Sequence, residues 1–283
     1  MNVVTTGTPG ARFAALATAT PRKDVELGLH IALPTAFPLA ATRPRYTVRH
    51  LLKTREIGDG AASYLRETHR GSDRSGTSYA STPEAGFRAT AATAQPTGVT
   101  AELSVPAELT ADPELLGTIV DHRLIVRLCT QENDALLNGS ADGRIPGIRT
   151  LSGARRIAEP GADLARLVTE TAALVEETGG SCDGIITHPV AYWELVRLGL
   201  LPRLVEVGVR VSRTRMLPPH ELIFADFRAA FTLLDTMRSH LAIRRGAGQD
   251  GQDLLTATVS VGLAVHLPQH VVSRTAVVPG PPD

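Results

Sequence analysis

The chain has 283 residues, room for one large domain or two small ones, and 43% of them are hydrophobic, ample for a packed core. Lys plus Arg and Asp plus Glu each total 29, so no net charge draws the chain to nucleic acid, anionic lipid or an acidic substrate. Only Cys129 and Cys182 occur, too scattered for a disulfide framework or a zinc cluster, and no long apolar run or basic leader marks a membrane span or secretory signal; the expected location is a reducing cytoplasm.

Residues 1 to 62 read as an arm. The first ten are Gly, Thr and Pro rich. Phe13 and Leu16 fit one or two helical turns that Pro21 ends, and Val25, Leu27, Leu29, Ile31 and Leu33 alternate like a short strand. Pro34, Pro38 and Pro44 interrupt the next stretch, and the apolar residues are too few for a private core. Buried nowhere of their own, they must lie on a neighbour or face a lumen. Residues 69 to 101 are dominated by Ser, Thr, Gly, Ala and Pro, the composition of a linker. Against that stands Ala101 to Val105, a strand that fits a partner near residues 62 to 67. A two-stranded excursion of this kind has too little apolar surface to stand alone and would need a neighbouring subunit to lie on.

The strongest signal is a long amphipathic helix. Asp112 is placed to accept from the first free amides and Pro113 supplies the fixed φ of a first helical position. Leu116, Val120, Leu124 and Leu128 form one face, widened by Leu115, Ile119 and Val126. An αL cap at Asn138-Gly139 ends it, and Gly143 and Pro146-Gly147 force a tight connection. About 25 residues at roughly 1.5 Å each would span nearly 40 Å.

Asp163 then caps a second helix whose face is Leu164, Leu167, Val168, Thr171, Leu174 and Val175, ended by Gly179-Gly180. Asp183 to Thr187 reads as a buried strand and Pro189 to Leu198 as a helix. Val207, Val209 and Val211 alternate; Leu222 to Phe224, Phe231 to Leu234 and Leu241 to Ile243 are short strand-like runs; Leu254 to Leu267 and Val271 to Val278 alternate across Pro268. Helices followed by mostly antiparallel strands make an α+β class.

The search for chemistry yields no catalytic, cofactor or metal site. Gly180-Ser181-Cys182-Asp183-Gly184 resembles a nucleophile elbow, but a helix precedes it and a strand follows, the reverse of what an elbow needs. His266 and His270 flank Pro268 in strand-like sequence, so they are no helical metal pair, and Gly246 to Gly251 reads as a hairpin loop. Arg155, Arg156, Arg244 and Arg245 read as solvated, Tyr192 and Trp193 as core.

Taken together, Tyr64-Leu65-Arg66-Glu67-Thr68, Val105-Pro106-Ala107-Glu108-Leu109, the long helix with its exit Leu136-Leu137-Asn138-Gly139 and Pro146-Gly147-Ile148, Ile185 to Trp193, and Val261 to Pro268 with the strand after it resemble, over residues 64 to 279, the major capsid proteins of tailed phages and their bacterial relatives, the encapsulins. The resemblance implies an HK97-like capsid fold. It would comprise an N-terminal arm (1–62), an extended loop (63–105), a spine helix of the peripheral domain (106–145), an axial domain (146–237), peripheral strands (238–268), and a closing strand and tail (269–283). It implies no enzyme and no cofactor, but a shell of many copies of the chain. Assembly contacts would come from Tyr64, Arg66 and Glu67 in the loop and Leu116, Val120, Leu124 and Leu128 in the spine; Phe13, Leu16, Val25 and Leu27 would serve arm or cargo contacts.

Some phage capsids join subunits by an isopeptide bond between a loop lysine and an asparagine, promoted by a glutamate. Here Lys23 and Lys53 are the only lysines, both precede the loop, and residues 252 to 279 hold no Asn or Glu, so cohesion must be noncovalent. Tyr64 also lies close behind Met1, with no long charged helix between them to act as scaffold. These features favour an encapsulin enclosing a cargo enzyme in the cytoplasm, and the loop suits the group associated with natural-product clusters. The alternative is a phage or prophage capsid holding DNA in a virion; a more distant one is a soluble enzyme whose loop is a lid.

Overall fold

The computed structural model describes residues 7–37, 45–69, 87–158 and 163–275. Helix α1 (Pro9–Ala19) and strands β1 (Val25–Leu29) and β2 (Lys53–Glu56) come first, followed by the hairpin strands β3 (Ala62–His69) and β4 (Phe87–Ala94). Strand β5 (Thr97–Val105) leads through α2 (Ala107–Ala111) to α3 (Pro113–Ile119) and α4 (Ile125–Asn138). Then come β6 (Arg155–Ala158), α5 (Leu164–Glu176), β7 (Gly184–Thr187), α6 (Pro189–Arg197), α7 (Leu200–Glu206), β8 (Arg210–Arg213) and β9 (Glu221–Ala225). The short α8 (Phe227–Ala230) opens into β10 (Phe231–Arg244), β11 (Asp253–Val265) and β12 (Val271–Thr275).

The spine starts where its cap residues place it: Asp112 Oδ1 accepts from the amides of Glu114 and Leu115 at 2.8 and 3.0 Å. Between α3 and α4 the residues Val120–Leu124 form a π turn, so the helix runs on to Asn138 with one extra residue in a turn. Its end differs from the αL cap expected. Gly139 takes φ 95 and ψ 157, a region essentially open only to glycine, and a Cβ there would meet the Ile145 carbonyl at 3.2 Å.

Leu116, Val120, Leu124 and Leu128 are all fully buried, and they pack with the inward residues of the first sheet, Leu255, Ala257, Val259, Val261 and Leu263. That sheet has the order β1-β10-β11-β5, antiparallel, with β2 parallel to β10. Strand β10 changes partner along its length: Thr232 to Asp235 face β2, Ser239 to Ile243 face β1, and the break between them is a bulge with Met237 at φ 60.

The second sheet, β6-β12-β9-β7-β8, is covered by α5, α6 and α7 and has its own core of Leu167, Val175, Ile185, Leu195, Leu222, Phe224 and Val272. Every residue of β7 is buried, as a short central strand covered on both faces requires.

Several expectations need correction. Ala101–Val105 does not pair near residues 62–67; it belongs to β5, which pairs β11, while Ala62–His69 pairs Phe87–Ala94. The two runs that alternate across Pro268 part company there: β11 stays in the first sheet and β12 joins the second. Val207 is 74% exposed behind the helix α7, whose Leu200, Leu201 and Leu204 the alternating valines concealed. Arg155 is buried and Arg245 half-buried, whereas Trp193 is 50% exposed and is not core. Residues 1–6, most of the Ser/Thr-rich run at 70–86, and 276–278 of the last expected strand lie outside the described residues.

Candidate assembly surfaces

The hairpin β3–β4 is an eight-pair antiparallel ladder from Ala62 opposite Ala94 to His69 opposite Phe87. It is tied to the body along β3. The Glu67 amide donates to the His266 carbonyl at 2.7 Å, and the Tyr64 ring meets the His266 ring edge-on at 5.3 Å. His266 Nδ1 lies 2.9 Å from the Leu65 carbonyl and its Nε2 lies 3.0 Å from Thr232 Oγ1, a pair of bonds that a neutral ring with the proton on Nδ1 satisfies. Arg66 donates to the Ser152 carbonyl at 3.3 Å. Tyr64, Arg66 and Glu67 thus anchor the hairpin on its own chain, and the side chain turned outward between them is Leu65, 54% exposed. Its position between Tyr64 and Arg66 on a period-2 strand was the signal for it.

The three spine leucines and one valine named from periodicity are core, not surface. What the spine offers outward is a shallow apolar groove of Leu103, Val105, Pro106, Leu109, Ile119 and Val126, rimmed by His122, Arg123 and Arg127. Leu109 and Leu115 stand 39% and 45% exposed at the N-terminal end of the spine.

The arm is built into its own subunit. Phe13, Ala14 and Ala17 are buried, so the expectation that they need a neighbour or a lumen fails; burying Phe13 contributes about 1.5–3 kcal/mol by itself. Leu16 is 39% exposed, and Val25 and Leu27 are half-buried on β1. Three polar clusters fix the arm. Thr8 Oγ1 and the Gly10 amide donate to the Asp121 carboxylate at 2.5 and 2.8 Å. Arg245 donates to Asp253 at 2.7 Å and to the Ala17 carbonyl at 3.1 Å, while Thr110 donates to the same carboxylate at 2.5 Å. Burial pushes Asp253 up, but those hydrogen bonds outweigh it and hold the carboxyl below its usual range.

The third cluster is buried. Arg49 donates to both oxygens of Glu132, at 3.0 and 2.6 Å, and to Asp235 at 3.1 Å, and the neighbouring Val48 amide donates to Asn133 Oδ1 at 2.8 Å. Burial pulls the guanidinium down, yet Glu132 and then Asp235 raise it above its ordinary value. Arm, spine and β10 meet at this one cation.

Neither thiol is poised to act as a nucleophile. Burial pushes both thiols, Cys129 and Cys182, up to about 12, and Cys182 sits in the turn after α5. Among the described residues no group of three or more His, Cys, Asp or Glu side chains is placed to hold a metal ion, and no helix is long and apolar enough to cross a membrane.

No protein-family model matches the chain, and no curated protein matches its sequence. Solved structures do resemble it. A virus-like particle from Pyrococcus furiosus superposes with a TM-score of 0.55 at 12% identity, covering 81% of this chain and 92% of that one. The capsid of a native GTA particle gives 0.58 at 13%, covering 82% and 90%. A structure from Mycobacterium phage Cain gives 0.58 at 15%, covering 88% and 96%. At these identities the likeness fixes the fold, and the fold is the HK97-like capsid fold expected from the sequence.

Proposed function

We propose that the chain is the repeating subunit of a closed protein shell, assembled from many copies of itself. The observation that carries this reading is the β3–β4 hairpin: eight residue pairs long, tied to its own body near Tyr64 to Glu67, with Leu65 exposed. Its ties to its own body leave the face that carries Leu65 uncovered, and in a shell a second copy would cover it. The structural neighbours named for a virus-like particle and a capsid support the same reading.

Within it, the shell is a compartment that holds a cargo enzyme in the cytoplasm. What supports this is the lack of lysine in the loop for a covalent crosslink of the phage kind. The second reading is a phage-type capsid that holds DNA in a virion, favoured by the likeness to the GTA particle and to phage Cain. The test is negative-stain electron microscopy of the protein expressed alone, after size exclusion, with the absorbance ratio at 260 and 280 nm. Uniform hollow particles free of nucleic acid are expected. Nucleic acid inside them would select the capsid reading, and monomers that never associate would overturn the shell.

A further inference from the structure

Three arginines gather at one end of the second sheet. Strands β7 and β8 are parallel with Thr187 opposite Arg213, so Arg213 stands where both strands end. The Ser212 hydroxyl donates to the Tyr46 carbonyl at 2.9 Å, which brings Arg45 of the arm to the same end, and the exposed Arg215 follows two residues after Arg213. Among the described residues none of the three takes part in an ion pair. Their partners are rings: Arg45 lies over Phe37 at 4.0 Å, and Arg213 over Tyr192 at 4.2 Å and Trp193 at 5.5 Å. Burial first, then Arg215 and Arg213, hold the Arg45 guanidinium below its ordinary value, and burial with His220 does the same to His188 at the start of α6. This end carries positive charge that its own surroundings leave uncompensated.

The opposite end holds the Arg210–Asp183 ion pair and the exposed Arg228, together with two carboxylates left over. Helix α5 finishes in Glu176 and Glu177, two exposed carboxylates at the negative pole of a helix with no basic residue in its last turn. Neither takes part in an ion pair among the described residues. The turn after them is pinned to the far end of the sheet, where the Ser181 amide donates to Asp226 and the Asp183 amide to the Ala225 carbonyl. A four-residue strand, about 13 Å, separates the two ends, so one copy cannot neutralise itself.

We propose that the Arg45–Arg213–Arg215 end of one copy docks on the Glu176–Glu177 turn of the next. The inference rests on the shell reading. Unlike ends make a heterologous contact, and repetition by rotation closes a ring. Every copy brings one acidic turn for one basic end, so a second copy supplies the complementary charge.

Arg215 and Glu177 are both exposed, so they can be changed without disturbing a core. Arg215→Glu alone and Glu177→Arg alone are each expected to lower the yield of particles about tenfold at low salt, and the two together to restore it. Independently, a chain carrying both Arg215→Cys and Glu177→Cys should give, on mild oxidation, a ladder of covalent oligomers that neither single variant gives, since Cys129 and Cys182 are buried. Single variants that assemble like wild type, with no ladder, would overturn the docking even where wild type forms particles. Wild type that forms no particles would overturn the shell reading, and the ladder would then decide the contact alone. Nucleic acid that copurifies with wild type and is lost from Arg215→Glu would make the cluster a phosphate site and sink the proposal.

Discussion

Removing Glu132 would leave the Arg49 guanidinium buried with one carboxylate where it now has two. Glu132→Ala is therefore expected to cost about 3–5 kcal/mol, read as a lower urea midpoint, while Glu132→Gln, which keeps an acceptor, costs less. Half of this cluster was legible: Glu132 follows Leu128 by four residues and precedes Leu136 by four, which places a charge on an apolar helix stripe. Its partner was not, because nothing local ties Arg49 to a helix residue so far along the chain. His270 gives a second residue-scale outcome. Burial holds its imidazole below 6.5, against Asp226 and the Thr178 carbonyl, which raise it. The folded pKa being the lower one, the fold favours the neutral ring; that contribution is complete above about 6.5 and is lost as pH falls through the folded value. His270→Gln, which can still donate to Thr178, should flatten the stability profile as pH falls below about 6.5 in urea titrations.

Between elements, the crossing of α1 on α3 depends on a missing side chain. A Cβ on Gly10 would sit 2.3 Å from the Gly117 carbonyl and 2.7 Å from Asp121 Cγ, whereas a Cβ on Gly117 would meet the arm no nearer than 3.5 Å. Gly10→Ala should thus lift α1 and cost about 1–3 kcal/mol, seen as faster proteolysis of the arm, and Gly117→Ala should be tolerated. Helices and caps were the most legible elements, since Asp112 and Asp163 act on amides two or three residues away. Strand partners were the least legible. Alternation located β5 but matched it to residues 62–67 and not to β11, far along the chain, and the true partner of 62–69 lay in sequence read only as Ser/Thr-rich.

For the whole molecule, Leu65→Asp is expected to block particle formation while leaving the subunit's thermal transition within about 0.5 kcal/mol of wild type, because the side chain touches solvent in the single copy. Light scattering and circular dichroism separate the two effects. The overall fold was recognisable because its cues are local and ordered along the chain. The surfaces were not, since an exposed Trp193 and a buried Arg155 carry the same sequence signature as their opposites.

The partner exchange along β10 has a consequence for how the molecule is made. Among the described residues, strands β1 and β2, near the beginning of the chain, pair only with β10, near its end. A nascent chain therefore cannot complete its first sheet until almost all of it has left the ribosome, and loop closure of that span makes folding slow, in the range of milliseconds to seconds or longer. Association of half-made chains through surfaces of the finished first sheet is thereby delayed until synthesis is nearly over.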